Sequence, residues 1–277
     1  MATRHNKMNE TSAFDILAET YDADFTTSSI GRLQRQRIWS FLYNLLMVKE
    51  KPLNILEINC GTGTDAIQMA AMGHRVLATD ASAAMIKKAE EKISGAKQHS
   101  SIRFEVCSFA ELKNNYTAEK FDLVVSNFGG LNCISEEEIK QLAGDLSLLL
   151  KPGGRLFLVL MSRFCLWELI YFGFRGRLKT AFRRFNKPVS FRVNGHSVSV
   201  YYYTPQRIKK IFYPLFKLVS KQPAGLFIPP TYLEKKFAGK TKWLNRLERL
   251  EKRFGYSFLS SFADHYCIIF KKEEIVL

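Results

Sequence analysis

Short apolar runs alternate with helix-spaced apolar positions through the middle of the chain. "NILEI" (54–58) reads as a buried strand, and "TDAIQMAAMG" (64–73) reads as a helix closed by Gly73. "RVLATD" (75–80) is a second strand and "SAAMIKKAEEKIS" (82–94) a second helix. "IRFEVCS" (102–108) and "FDLVVSN" (121–127) follow as strands, "EEEIKQLAGDLSLLL" (136–150) as a helix, and "GRLFLVLM" (154–161) as a fifth strand after a Lys151–Gly154 turn. Strand and helix alternating at this spacing predict a parallel sheet covered on both faces.

The two ends depart from that rhythm. Residues 13–48 carry helical spacing in two pieces, with a joint near Thr26–Ile30 and a stop at Pro52. "VSFRVNGHSVSVYYYT" (189–204) alternates around Asn194-Gly195, a strong hairpin signal. Thr204-Pro205 starts a helix, "FKLVSKQPAGLF" (216–227) is a candidate strand, 241–254 is a charged amphipathic helix, and "DHYCIIF" (264–270) is a closing strand. The organisation expected is one domain with a cap: a helical lid over 1–50, a core over 51–162, a substrate cap over 163–260, and a closing core strand in 261–277.

The first strand and helix meet in "ILEINCGTGTDAIQMA" (55–70). Gly61 and Gly63 allow a sharp turn and let a ligand approach bare backbone. The third glycine of G-x-G-x-x-G is missing, and so is the Gly-Lys-Ser/Thr of a P-loop. Asp80 ends the second strand, where an acid in such folds accepts hydrogen bonds from ribose hydroxyls. Glu57 adds a carboxylate able to meet an ammonium group. Two acids beside a glycine turn suit a ligand with a ribose and a positive charge, and they suit a pyrophosphate poorly.

Composition narrows this further. The 277 residues suffice for one large α/β domain. Five scattered cysteines form no metal-ligand or disulfide pattern, so no metal site is expected and a reducing cytoplasm is the simplest setting. The N-terminus has no signal-peptide pattern, and no apolar run is long enough to span a bilayer. A net charge of +15 favours polyanionic partners.

With "VLATDAS", "VCSFAEL", "FDLVVSNFGGLNCIS" and "LKPGGRLFLVL", the glycine stretch resembles the class I S-adenosylmethionine-dependent methyltransferases over roughly residues 13–161, in the small-molecule, quinone-methyltransferase-like branch. The resemblance implies a Rossmann-like, seven-stranded, mostly parallel sheet with an N-terminal helical lid and a C-terminal cap including the hairpin. It implies S-adenosyl-L-methionine as cofactor, with the Glu57–Gly63 backbone against the methionyl part. Asp80 would hold the ribose, Ala81 and Met85 would pack beside the adenine, and Ser108 and Phe109 would meet its edge. Asn127 and Phe128 would lie where methyl and acceptor meet, and Tyr21 would close over the cofactor. One of Arg32, Arg35 and Arg37 would reach the cofactor carboxylate. Asn59 stands where the family usually has glycine, and Ser108 stands where it often has an acid.

The methyl sulfonium is already electrophilic, so the protein's task is alignment and exclusion of water, with a base where the acceptor carries a proton. His196 and His265 are the base candidates, and Tyr201 and Tyr203 face the substrate pocket by alternation. "NFGG" (127–130) stands where base and glutamine N-methyltransferases often carry Asp/Asn-Pro-Pro-Tyr/Phe. The expected acceptor is therefore a small apolar or aromatic molecule of lipid-like, quinone-like or secondary-metabolite type. The alternatives are an RNA methyltransferase using the basic surface, or a cofactor-binding protein without catalysis. Residues 163–187 interleave seven Arg and Lys with aromatics against the single acid Glu168, a composition suited to peripheral contact with an anionic membrane or to holding RNA.

Overall fold

The computed structural model describes residues 13–47, 51–94, 100–186, 188–193, 196–237 and 239–273. Seven strands form the main sheet in the order β3-β2-β1-β4-β5-β9-β8: β1 (Asn54–Ile58), β2 (Arg75–Asp80), β3 (Ile102–Val106), β4 (Phe121–Ser126), β5 (Leu150–Met161), β8 (Phe216–Ala224) and β9 (His265–Lys272). The first five run parallel, and β9 is antiparallel to both β5 and β8. The longer helices are α1 (Ser29–Leu46), α2 (Thr64–Ala71), α3 (Ala83–Ile93), α4 (Glu136–Leu149), α5 (Leu166–Gly173), α6 (Pro205–Phe212) and α7 (Thr241–Phe254).

Period-two alternation sorts the strand side chains between two cores. Leu56, Val124 and Leu158 pack with Ile139, Leu142 and Leu146 of α4 and with Phe212 of α6. Ile55, Val125 and Phe157 pack on the opposite face with Ile38, Trp39 and Leu42 of α1 and with Met69 of α2. Strand order reverses between β1 and β4, which opens a crevice at their C-terminal ends where open α/β sheets hold ligands.

The sequence reading places every core strand, with two differences of extent. The Lys151–Gly154 turn lies within β5, as an irregularity of pairing: Phe121 faces Leu150, and the next pair is Leu123 with Arg155. Gly153 takes φ +70°, and a Cβ on Gly154 would come within 2.9 Å of the Lys151 carbonyl, so the chain still folds back tightly there. The candidate strand at 216–227 is β8, so the segment expected as a cap also supplies the sheet's edge. Pro223 is tolerated in β8 because one side of an edge strand needs no donor.

A separate antiparallel hairpin, β6 (Val189–Val193) with β7 (His196–Val200), forms as its alternation predicts, and Asn194-Gly195 lies outside the described residues. Val198 and Val200 pack with Ala13 and Tyr202, which joins the hairpin to the N-terminal segment above the crevice. That segment is held by its acids. Asp15 accepts from the Ser82 hydroxyl at 2.5 Å, and Asp22 accepts from the Thr62 hydroxyl at 2.8 Å and pairs with Lys92 at 2.6 Å. A π-helical turn, Asp22–Thr26, stands at the joint predicted between the two helical pieces.

Candidate functional site

The crevice is built from strand tips. After β1 the backbone turns through Asn59 (φ +54°), Gly61 (φ +55°) and Gly63 (φ +75°). Asn59 adopts the left-handed region that a glycine would fill freely, and its side chain uses the position. Its Oδ1 accepts from the Ser126 hydroxyl at 2.6 Å, and its Nδ2 donates to the Asn127 carbonyl at 2.7 Å, tying the β1 tip to the β4 tip. Gly130 must be bare because a Cβ there would stand 2.3 Å from Asn59 Cγ. Gly63 seats the turn against α3 and β3, where a Cβ would meet Ala89 and the Phe104 ring at 2.7 Å.

Asp80 lies across from this turn. Its Oδ2 accepts from the Gly61 N–H and its Oδ1 from the Ser82 N–H, both at 2.9 Å. Each oxygen keeps acceptor capacity directed to the cavity that Asp80 lines. Burial raises its pKa despite the backbone donors. The Tyr21 ring lies 3.7 Å from the point where a Gly61 Cβ would stand, so the tyrosine covers the bare turn, and burial pushes its hydroxyl up to about 12.

Behind the turn lies a charged cluster. Asp65, in the first turn of α2, accepts from the Trp39 indole and the Asn127 amide at 2.7 Å each and pairs with Arg35. Glu57 is 1% exposed, and its Oε2 has no hydrogen-bond partner. Burial, then the Asp65 charge, raises its pKa well above the ordinary carboxylate value. A small pocket brings Glu57 and Arg35 together with Tyr21, Asn59 and Asn127. A buried carboxyl with one unpartnered oxygen, beside an arginine, fits both ends of an amino-acid zwitterion: ammonium on Glu57, carboxylate on Arg35. Those residues, with Asp80 and the bare Gly61, fit S-adenosylmethionine.

The main cavity encloses about 1170 Å³. Asn59, Gly61, Asp80, Ala81, Met85, Ser108, Phe109, Asn127, Phe128, Tyr21 and His265 all line it, so most of the predicted site residues meet in one space. The Ser108 hydroxyl donates to Glu111 at 2.6 Å, which leaves its lone pairs as acceptors. Phe128 holds a strained φ of +49°, with the Arg35 guanidinium 4.6 Å over its ring and the His265 ring edge-on at 5.9 Å. His265 Nδ1 lies 3.1 Å from Asp264 Oδ2. No aligned hydrogen bond forms along that contact. Burial alone would raise the Asp264 pKa, but the nearby His265 and Arg184 hold it far below the usual carboxylate range.

Several expectations differ from what the structure places. Glu57 and Gly63 stand behind the main cavity, the first in the small pocket and the second in the packing of the turn. Tyr201 and Tyr203 do not line either described pocket. β7 ends at Val200, the Tyr201 N–H donates to the Asn132 carbonyl, and the Tyr203 hydroxyl donates to the Ile134 carbonyl at 2.7 Å. Both rings therefore turn into the core beside α4, and the alternation that placed them at the pocket stops before they begin. Val198 and Val200 line the cavity in their place. His196 opens β7, and its side chain lies outside the described residues. The basic segment spends two of its arginines inside the protein: Arg183 and Arg184 pair with Glu168 at 2.6 and 2.8 Å, and Arg184 also pairs with Asp264 at 2.5 Å. Phe14, Leu17 and Met161 also line the cavity and carry no motif that marks them in the sequence.

Comparison with known proteins agrees with this geometry. Residues 55–154 match the family model described as a methyltransferase domain, and the chain shares its fold with an S-adenosylmethionine-dependent methyltransferase of Methanosarcina mazei, with a TM-score of 0.57 at 18% identity over 84% of this chain and 97% of that one. A demethylmenaquinone methyltransferase of Clavibacter sepedonicus is 28% identical over 143 residues, covering 52% of this chain and 54% of the relative. A tRNA 5-carboxymethoxyuridine methyltransferase of Escherichia coli K12 is 26% identical over 147 residues, covering 53% and 55%. The chain thus spans about half the length of these curated relatives. Among solved structures, the CcbJ methyltransferase of Streptomyces caelestis superimposes with a TM-score of 0.62 at 15% identity, over 96% of this chain and 99% of that one.

Proposed function

We propose that the chain is an S-adenosylmethionine-dependent methyltransferase acting on a small apolar or aromatic acceptor. The observation that carries this reading is the size and lining of the main cavity. Its volume of about 1170 Å³ exceeds the ~300–1,000 Å³ of ordinary small-molecule sites and leaves room for an acceptor beside the cofactor. Beyond the strand tips its wall is largely apolar, with Phe14, Leu17, Ile134, Met161, Val198 and Val200.

The cofactor supplies an electrophilic methyl group. Asp80 holds the ribose hydroxyls, Glu57 and Arg35 hold the amino-acid end, and Ala81, Met85, Ser108 and Phe109 surround the adenine. Tyr21 and the N-terminal segment exclude water. Phe128 and Asn127 border the transfer point. His265, facing Phe128 and with Asp264 3.1 Å from its Nδ1, takes the proton from a hydroxyl or amine acceptor in this reading. The 1–50 lid, 51–162 core, 163–260 cap and 261–277 closing strand remain our working division, with β8 and α6 of the cap serving the core.

An RNA acceptor is the second reading, favoured by the net charge of +15 and by the relative that acts on tRNA. Transfer from radiolabelled cofactor to an organic extract, set beside transfer to total tRNA, separates the two. Label in the organic phase that is insensitive to ribonuclease supports the small-molecule reading. Label confined to tRNA, with binding that weakens steeply in salt, overturns it. Cofactor binding without transfer to either points to a non-catalytic binding protein.

A further inference from the structure

The segment 163–186 presents an apolar stripe to solvent. Leu166, Ile170, Phe174, Leu178 and Phe182 recur every fourth residue, and all five are exposed, Phe174 at 89%. Four-residue spacing puts Leu166 and Ile170 on one face of α5; the helix then ends at Gly173, the chain turns through Gly176 (φ +68°), and Leu178 opens a second short helix, Leu178–Ala181. The stripe continues through aromatic contacts: Phe182 with Phe185 at 5.6 Å, Phe185 with Phe164 at 5.1 Å, and Phe164 with the exposed Phe262 at 6.3 Å. Five exposed apolar residues gathered in two short helices and the turn between them mark a candidate contact site.

Cations flank it. Arg175, Arg177 and Lys179 are exposed beside the stripe, and Lys235, Lys236 and Lys240 are exposed nearby in sequence to Tyr232, whose ring stacks on Phe172 at 6.3 Å. Lys236 reaches the segment itself, with its Nζ 5.2 Å from the Tyr171 ring centre. The only acid of the segment, Glu168, is 1% exposed and neutralised inward by Arg183 and Arg184. The outward surface therefore offers apolar side chains and cations without an opposing carboxylate from its own segment. Leu166, Ile170 and Leu178 have no ring face on which a nucleic-acid base could stack, whereas aliphatic and aromatic side chains rimmed by Arg and Lys suit the interface of an anionic bilayer.

We propose that this face docks the protein peripherally on an anionic lipid membrane, with the 166–182 stripe entering the headgroup region and the surrounding Arg and Lys meeting lipid phosphates. The proposal does not depend on which acceptor the enzyme methylates.

Co-sedimentation of the full chain with vesicles tests it. Vesicles of phosphatidylcholine with a fraction of phosphatidylglycerol should pellet the protein, vesicles of phosphatidylcholine alone should pellet far less, and added salt should weaken the anionic case. The double variant Phe174→Ser/Leu178→Ser should lower partitioning at least tenfold. Arg175→Glu/Arg177→Glu should remove the preference for phosphatidylglycerol. Phe174 and Leu178 are exposed, so melting temperature and cofactor titration of the serine variant should match the parent chain; Arg175 and Arg177 also lie over the Tyr171 and Phe172 rings, at 3.9 and 5.5 Å, so the glutamate variant is compared by cofactor titration, which should be unchanged. Absence of binding by the parent chain overturns the proposal, and so does binding that both variants retain. Concentration-dependent self-association that the serine variant abolishes, or tRNA binding that it abolishes, would assign the face to a second copy or to RNA and would equally overturn it.

Discussion

Asp80 and Glu57 show how far single residues could be read. Position at the end of a strand marks both as candidate acids for a cofactor, but only the structure shows that backbone N–H groups aim Asp80 and that one Glu57 oxygen is buried without a partner. Asp80→Ala should weaken S-adenosylhomocysteine binding by about 1–3 kcal/mol, the cost of unpairing buried hydroxyls, as read by calorimetric titration. Glu57 makes a pH prediction. A carboxyl whose folded pKa is raised binds its proton more tightly in the folded state, so the apo protein should lose stability as pH rises from the ordinary carboxylate range toward that raised value. A cationic ligand favours the ionised form, so cofactor binding should release a proton and tighten with pH over that window. Titrations in two buffers of different ionisation enthalpy count the proton, and Glu57→Gln should abolish the difference. His265→Ala should lower kcat by about 10²–10⁴-fold while leaving cofactor affinity unchanged, measured with the acceptor once found. Arg35 was one of three arginines that sequence could not rank. Its rank comes from Asp65, 30 positions away, and from the Phe128 ring beneath it.

At the scale of elements, the parallel strands and their helices were legible because strand and helix leave different periods in the chain. What failed was the continuation of a period past an element's end. Tyr201 and Tyr203 follow β7 in sequence, yet Asn132 captures the backbone there: its Nδ2 donates to the Tyr201 carbonyl at 2.6 Å and its carbonyl accepts the Tyr201 N–H at 2.7 Å. Asn132→Ala should remove the side-chain bonds to the Tyr201 carbonyl and to the Met161 carbonyl and N–H, leaving the backbone bond in place, and destabilise the protein by about 1–3 kcal/mol in denaturant unfolding. The lid is a second case. Helical spacing places the N-terminal segment proposed as a lid, but only the pairing of Asp15 with Ser82 and of Asp22 with Thr62 and Lys92 shows where that segment is held. Asp22→Ala should raise the cofactor dissociation rate in stopped flow more than it lowers the melting temperature.

For the whole molecule, the excess of positive charge was plain from composition, but its distribution was not. Arg184 is buried against Glu168 and Asp264, which are 16 and 80 positions away, and it joins the cap segment to the base of β9 beside His265. Sequence neighbours gave the segment one acid for seven cations, whereas the fold brings a second acid from the far end of the chain. Removing one partner of a buried ionic cluster leaves the others uncompensated, so Arg184→Ala should cost about 3–5 kcal/mol in thermal or denaturant unfolding. The folded pKa of Asp264 is depressed, so its contribution should be present above the ordinary aspartate value and lost as pH falls toward the depressed one. Every role proposed for the site residues requires one ligand in the crevice where strand order reverses between β1 and β4. A crystal structure with S-adenosylhomocysteine tests this most directly. We expect the ribose hydroxyls within hydrogen-bond distance of Asp80, the ammonium beside Glu57 and the sulfur facing Phe128; a ligand seated away from Asp80 and Glu57 would contradict it.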